Sequence, residues 1–502
     1  RRAALLAAGE LKSPRLWPLT IEGLGWSQVR GAATAALVAG GQSAVPELKA
    51  AFAKHSQNRE ILIRLAIVCG RIGGDEVTAL LKDRIDFPDE GVRTQVLRSL
   101  SRCGYQAQNE AEVGLIQRQI QAEMAQAAWT LAALVDVADE ESVSLLREAL
   151  TAKLGQGRTR LLFLLSFIYE AETILRARDN LSHPSAEKRA YALEVIEVLI
   201  EKELKRLIIP LLRDLPPSQR LQELSAYFPQ RELGGRQRLR EIITGPDEVS
   251  NAWIQACALF AVGRLSASEL SQTVVATLCA PDPLVRETAV WTLSCLNAAL
   301  LSRYAGQLQR DLSPQVIRAI QHLETARDGD KTMLSTIEKV IILKTVGIFA
   351  ETPDDILAEM ATLLEEVELM VGETIFEKGD LGDCMYIIAE GEVRVHDGER
   401  TLNHLAQGDV FGEMALLDPE PRVASVTAIE DTHLLRLDQE PFYELMNDRI
   451  EVVRGIIHVL SRHLRARVRD LNELEARLKS LGATGTNRQI EGDKQIPEKG
   501  GV

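Results

Sequence analysis

Gly408-Asp409-Val410-Phe411-Gly412-Glu413-Met414-Ala415-Leu416-Leu417-Asp418-Pro419-Glu420-Pro421-Arg422-Val423-Ala424-Ser425-Val426 has a chemical reading of its own. A glycine followed by a short amphipathic helical turn presents free backbone N–H groups at a helix N-terminus, which is a ready anion site. Arg422, ten residues after Gly412, returns a planar, permanently charged fork to the same place. Glu413 beside that site would be repelled by a phosphate unless it accepts hydrogen bonds from a neighbouring hydroxyl. A ribose 2′-hydroxyl next to a phosphate is such a partner.

The chain around this stretch is β-rich. Pro353-Asp354-Asp355 starts a helix to about Leu364, after which Glu368–Phe376 and Met385–Ile388 read as strands. Gly379, Gly382, Gly391, Gly398, Gly408 and Gly412 punctuate the region as short strands joined by tight turns demand. Helix returns at Glu440–Leu445 and runs from about Glu451 to Leu481, and the Gly-, Lys- and Glu-rich residues 482–502 read as a disordered tail.

The quoted stretch closely resembles the phosphate-binding cassette of cyclic-nucleotide-binding domains of the cAMP-receptor type. The resemblance extends upstream through Gly372-Glu373-Thr374-Ile375-Phe376-Glu377-Lys378-Gly379-Asp380 and Tyr386-Ile387-Ile388-Ala389-Glu390-Gly391-Glu392-Val393-Arg394-Val395, over about residues 335–465. It implies a ligand site made of Phe411, Gly412, Glu413, Met414, Ala415, Arg422, Val423, Ala424 and Ser425. Arg422 would pair with the cyclic phosphate and Glu413 would hold the ribose 2′-hydroxyl. Backbone N–H groups of Ala415 and Ala424 would complete the cradle, Gly412 would permit close approach, and Ser425 would add a polar contact. In this family a Thr or Ser directly after the cassette Arg favours guanine; Val423 has no hydroxyl, which tilts the regulatory ligand toward cAMP rather than cGMP. The base is capped from the C-terminal helix, where Ile457, Leu460 and His463 are the candidates. A plain surface ion pair between Glu413 and Arg422, or a domain that keeps its fold without its ligand, are the readings to set beside this one.

The C-terminal helix also bears on assembly. Ile457, Leu460, Leu464, Val468, Leu471, Leu474, Leu478 and Leu481 follow three/four spacing with one slip, which suits a short coiled coil and a parallel homodimer. About 20 residues follow Leu481, which leaves no recognition helix and predicts no DNA partner by that route. Arg462, Arg465, Arg467 and Arg469 are followed at once by Asp470, Glu473 and Glu475, and read as a solvated face.

Residues 1–330 carry a different pattern. Leu, Ala, Val and Ile recur at spacing three and four, which is helical. Val29-Arg30, Val92-Arg93 and Val285-Arg286 each open an apolar helix. Arg30, Arg64, Arg93, Gln126, Arg160, Arg189, Arg220, Ile254, Arg286 and Arg318 align at steps of 29 to 34 residues. A period of this size marks a solenoid. Turns at Asp86–Asp89, Ala280–Pro283 and Leu312–Pro314 precede the inner helices, and Gly40-Gly41 and Gly73-Gly74 separate the helices of a unit. With these residues the region resembles HEAT-like repeats over about 20–330, an extended surface on which the repeat arginines pair between repeats.

The fold class expected is therefore an α-solenoid of HEAT-like repeats followed by an α+β cyclic-nucleotide-binding β-roll with a long C-terminal helix. The expected boundaries are 1–330 for the repeats, 331–350 for a linker helix, 351–465 for the nucleotide domain, 466–481 for the helix extension and 482–502 for the tail.

The whole chain of 502 residues is 46% hydrophobic and 26% charged, which excludes a disordered or collagen-like protein. A formal charge of −14 repels nucleic acid over most of the surface. The six cysteines form no Cys-x-x-Cys pair and no disulfide framework, which fits a reducing, cytoplasmic compartment. The longest apolar run, Leu161–Tyr169, is too short to span a bilayer. No metal site is expected from the dispersed histidines, and no nucleophile or acid/base motif marks an enzyme. A start at Arg1 rather than Met, repeats followed by a nucleotide domain, and no output domain are similar to the cytosolic C-terminal part of bacterial ATP/ADP-translocase-type transporters. The expectation is a non-enzymatic module that couples cyclic nucleotide to a protein partner on the solenoid or to a preceding membrane domain. The alternatives are a ligand-free scaffold with the nucleotide fold as dimeriser and, third, a repeat-containing lyase resembling phycobilin-attachment proteins.

Overall fold

The computed structural model describes residues 1–54, 58–137, 140–246, 250–311, 313–325, 333–350, 352–417, 420–448 and, beyond these, residues 453, 457, 461, 465, 468 and 469. The chain divides into two compact units, 1–340 and 341–502. The boundary falls inside the helix Thr336–Thr345.

The described residues of the first unit form helices and short 3-10 turns, with no strand among them. Asp89 starts the helix Glu90–Arg102 by accepting the Val92 N–H at 2.8 Å, and Asp282 starts Pro283–Ser302 by accepting that of Leu284 at 2.8 Å. Such caps satisfy donors that a helix cannot satisfy internally. Pro283 occupies a first-turn position, where its missing N–H costs nothing.

Three of the arginines in register, Arg93, Arg189 and Arg286, repeat one set of contacts. Arg93 donates from Nη1 to the carbonyls of Phe87 (2.6 Å) and Pro88 (3.0 Å), six and five residues earlier. Arg189 does the same to His183 (3.1 Å) and Pro184 (2.8 Å), and Arg286 to Ala280 (2.8 Å) and Pro281 (2.9 Å). Each guanidinium also reaches a carboxylate further along the chain, Glu123 at 3.0 Å, Asp214 at 3.5 Å and Asp311 at 2.7 Å respectively. One side chain thus ties the turn before its own helix to a later element, the helix Glu110–Asp136 for Arg93 and the connections at Asp214 and Asp311 for the other two. A hydroxyl bond repeats as well: Ser99 donates to the Ala66 carbonyl at 2.8 Å and Thr292 to that of Leu259 at 2.9 Å, both across 33 residues.

In the middle of this unit the helices Glu90–Arg102, Glu110–Asp136 and Ser144–Ser166 bury a network of charges. Glu123 accepts from Arg93 Nε at 3.0 Å and from Arg160 Nε at 2.9 Å, while Lys153 pairs with Glu90. Burial pulls the Lys153 ammonium below its ordinary value, and the Glu90 carboxylate opposes that shift. The apolar run Leu161–Ser166 lies in this core as the end of the helix Ser144–Ser166. No helix among the described residues is long and apolar enough to cross a membrane.

In the second unit, a helix Asp354–Ala361 precedes eight strands: β1 Glu365–Leu369, β2 Thr374–Phe376, β3 Cys384–Glu390, β4 Glu392–Asp397, β5 Arg400–Ala406, β6 Val410–Phe411, β7 Ser425–Ala428 and β8 Thr432–Asp438. They form two antiparallel four-stranded sheets, ordered β1-β8-β3-β6 and β2-β7-β4-β5. Facing registers include Val367 with Leu434, Ile387 with Leu435, and Arg394 with Thr427. The core between the sheets is Cys384, Tyr386, Ile388, Val393, Phe411, Val426 and Leu434. β3 is buried from Cys384 to Ala389 with no polar alternation, because one face lines this core while the short helix Glu413–Leu417 packs on the strand. The helix expected from Glu440 is present as Gln439–Asp448. The coiled-coil stripe beyond it and the tail 482–502 lie outside the described residues, apart from Ile457 and Val468.

Candidate functional site

Arg422 is held before its side chain does anything. Its N–H donates to the Asp380 carbonyl at 2.8 Å, its own carbonyl accepts the Gly379 N–H at 2.8 Å, and Leu381 bridges Pro421. The connection between β2 and β3 therefore fixes the residue from both sides. The guanidinium then turns inward: Nη2 donates to the Cys384 carbonyl at 2.8 Å and Nη1 to the Gly412 carbonyl at 3.2 Å. Its carbon sits 4.2 Å from the centre of the Phe376 ring, a cation–π contact. Phe376 is itself braced by Phe411 at 5.9 Å, which stacks on Tyr386 at 5.2 Å.

Two glycines make room for this fork. A Cβ at Gly382 would lie 2.4 Å from Arg422 Cζ, and one at Gly412 would lie 2.5 Å from Nη1. Gly412 also has φ +77°, a left-handed conformation that side chains strain.

Arg422 is 8% exposed and, among the described residues, meets backbone carbonyls and no carboxylate. Burying a charge without a counter-charge is costly, and an anion arriving at the remaining N–H donors would relieve that cost. Glu413, half-buried as the first residue of the helix Glu413–Leu417, is not bonded to Arg422. The arrangement is thus not a Glu413–Arg422 ion pair.

The other expected site residues fall around these two. Phe411, Ala415, Ala424 and Ser425 are buried, while Met414 and Val423 are largely exposed. The Ala415 N–H, expected to face a ligand, instead donates to the Gly412 carbonyl at 3.2 Å, because the turn after Gly412 closes on itself. The Ser425 hydroxyl accepts the Lys378 N–H at 3.0 Å, so it braces the β2–β3 connection. Ile457 is 58% exposed, and Leu460 and His463 lie outside the described residues.

Phe376, Gly382 and Cys384 are not among the residues expected at the ligand site. Gly382 is legible as one of a cluster of turn glycines, and Phe376 as an aromatic beside that turn. Cys384 acts chiefly through its carbonyl, which any residue possesses, so its identity carries no signal. Its thiol lies near the carboxylates of Asp383 and Asp438, but Asp438 is paired with Arg436 at 2.7 Å. Burial pushes the Tyr386 hydroxyl well above its ordinary value, so the phenol stays neutral, accepting from the Cys384 thiol at 3.4 Å.

Residues 366–449 match the family described as the cyclic nucleotide-binding domain. The chain is 33% identical over 138 residues to the CRP-like cAMP-activated global transcriptional regulator of Mycobacterium tuberculosis, covering 26% of this chain and 62% of that protein. It is 35% identical over 126 residues to the cAMP-dependent protein kinase regulatory subunit of Dictyostelium discoideum, covering 24% of this chain and 37% of that one. Among solved structures it is similar to the N-terminal domain of a transcriptional regulator from Streptomyces coelicolor A3(2), with 33% identity, 25% of this chain and 91% of that chain covered, and a TM-score of 0.24. The chain spans less than two thirds of the length of either curated relative.

Proposed function

We propose that the cyclic nucleotide-binding domain at residues 366–449 serves here as a cAMP sensor within a non-catalytic regulatory chain. The observation that carries the reading is the Arg422 fork, seated on the Cys384 and Gly412 carbonyls at 2.8 and 3.2 Å with Glu413 next in chain to Gly412. A cyclic phosphate would meet the guanidinium's free donors and the ribose 2′-hydroxyl would meet Glu413. The names of the two curated relatives, one cAMP-activated and one cAMP-dependent, support the choice of nucleotide.

The helical unit is assigned as a HEAT-like scaffold for a protein partner or a preceding membrane domain, as in ATP/ADP-translocase-type transporters, on the cytoplasmic side and without DNA. The recurring Arg93, Arg189 and Arg286 seats support the repeat part of this assignment. The chain passes between the units through the helix Thr336–Thr345, whose first N–H and hydroxyl donate to the buried Glu287 carboxylate at 2.9 and 2.6 Å. That helix is the element a bound nucleotide would bias.

Calorimetric titration of the full chain is the test. cAMP is expected to bind more tightly than cGMP, and absence of binding by either returns the domain to a ligand-free dimeriser. Val423 is 73% exposed, so Val423→Thr adds a hydroxyl at little cost to the fold. One added hydrogen bond is worth about 1 kcal/mol, so cGMP affinity is expected to rise roughly five- to tenfold with cAMP unchanged. Equal affinities for the two nucleotides in the unsubstituted protein would contradict the argument.

Dimerisation is assigned to residues 451–481. Sedimentation at micromolar concentration is expected to give a dimer, and truncation after Glu451 a monomer; a monomeric full chain overturns this.

A further inference from the structure

Arg220 stands in register with Arg93, Arg189 and Arg286, yet it lacks their seat. The equivalent carbonyls, those of Asp214 and Leu215, receive nothing from its side chain, and its Nε is sealed from solvent without a hydrogen-bond partner among the described residues. A buried donor left unpaired in a folded protein calls for an explanation such as an ion.

Its surroundings supply one. Arg220 lies in the helix Pro217–Leu224, entered from the connection 213–216, with its backbone N–H donating to the Pro216 carbonyl at 3.2 Å. Arg158, from the helix Ser144–Ser166, reaches the start of the same connection through Nη2, which donates to the Leu212 carbonyl at 3.3 Å. Arg189, from Ala186–Leu199, approaches it at Asp214, 3.5 Å away. Burial, and then the neighbouring Arg220 charge, pull the Arg158 guanidinium below its ordinary value; burial does the same to Arg220, and Asp214 opposes both. Asp214 is 84% exposed, so solvent screens most of what its carboxylate contributes against this charge. Arg213, the other arginine of the turn, is engaged separately with Glu197 and Glu223 at 3.6 and 3.8 Å.

We propose that Arg158, Arg189 and Arg220 form an oxyanion site at the 212–216 connection, built for a phosphoryl group. Three guanidinium groups against one exposed carboxylate match a dianion in charge, and a planar fork suits phosphoryl oxygens. The group arrives either as the free ion or as a monoester carried on a larger molecule.

The test uses the full chain with cAMP present, so that the Arg422 site is filled. Inorganic phosphate is the first probe, followed by phosphorus NMR line broadening and by melting temperature; O-phosphoserine is the second. Phosphate is expected to broaden and to raise the melting temperature. Arg220→Gln is expected to weaken that binding about tenfold or more, Arg158→Gln similarly, and Arg422→Ala not at all. Protection by phosphate alone assigns the site to the free ion, and protection by both probes to a carried phosphoryl group. In phosphate-free buffer Arg220→Gln is expected to melt no lower than the parent, since Nε has no hydrogen bond to lose, Asp214 is largely exposed, and a like charge beside Arg158 is removed. Arg220→Lys, which keeps the charge and loses the fork, should fall between. A lower melting temperature for Arg220→Gln without phosphate, no response to either probe, an unchanged response in Arg220→Gln, or a response lost in Arg422→Ala each overturns the proposal.

Discussion

Replacing Arg422 with alanine is expected to erase the cAMP-dependent rise in melting temperature of the second unit. A ligand that binds only the folded state at 100 times its dissociation constant contributes about 2.7 kcal/mol, and that whole increment depends on the phosphate finding its charged partner. The substitution also strips the Cys384 and Gly412 carbonyls of donors at 2.8 and 3.2 Å and bares the Phe376 face. Basal stability is therefore expected to drop too, which is why the readout is the difference with and without cAMP. Glu413→Ala provides the complementary arm. Its carboxylate makes no ion pair with Arg422, so the basal melting temperature should hold, while cAMP weakens far more than its 2′-deoxy analogue. If the cAMP-dependent shift survives Arg422→Ala, or if Glu413→Ala weakens both ligands equally, the assigned roles are wrong.

Glu123→Ala is expected to destabilise the helical unit by about 3–5 kcal/mol, because it strands two buried guanidinium groups at once. Glu123 is 5% exposed and bridges Arg93 and Arg160 at 3.0 and 2.9 Å, with Arg160 itself 1% exposed. The nearest other carboxylate, Glu90, is already paired with Lys153 and lies 3.9 Å from Arg160. Removing Glu123 leaves three buried cations against one buried anion. Chemical denaturation of the full chain measures the loss, and the double replacement Glu123→Ala with Arg160→Met should recover part of it. A loss below about 1 kcal/mol would show that the network is solvated.

What can be read along this chain is local. The Gly412–Arg422 spacing, the turn glycines and the alternation of strands belong to short-range chemistry, where a residue's conformational limits and its neighbours within one turn set the outcome. The register of arginines is legible for a related reason: a contact to carbonyls five and six residues earlier is local, so it recurs wherever the local sequence recurs. Arg220 keeps the register and misses the seat, and its own stretch differs there: the three seated arginines have a proline five residues earlier, Pro88, Pro184 and Pro281, where Arg220 has Leu215.

Tertiary structure decided the partners. Cys384 lies 38 residues from Arg422 and serves it through a backbone carbonyl. Glu123 lies 30 residues from Arg93 and 37 from Arg160. By itself the sequence determined where the cyclic nucleotide-binding domain lies and where helices give way to strands. Which carbonyl seats the arginine, and which charge stays without a partner, was decided by long-range packing, since burial makes each unpaired polar group costly and only the folded chain brings its partner within reach.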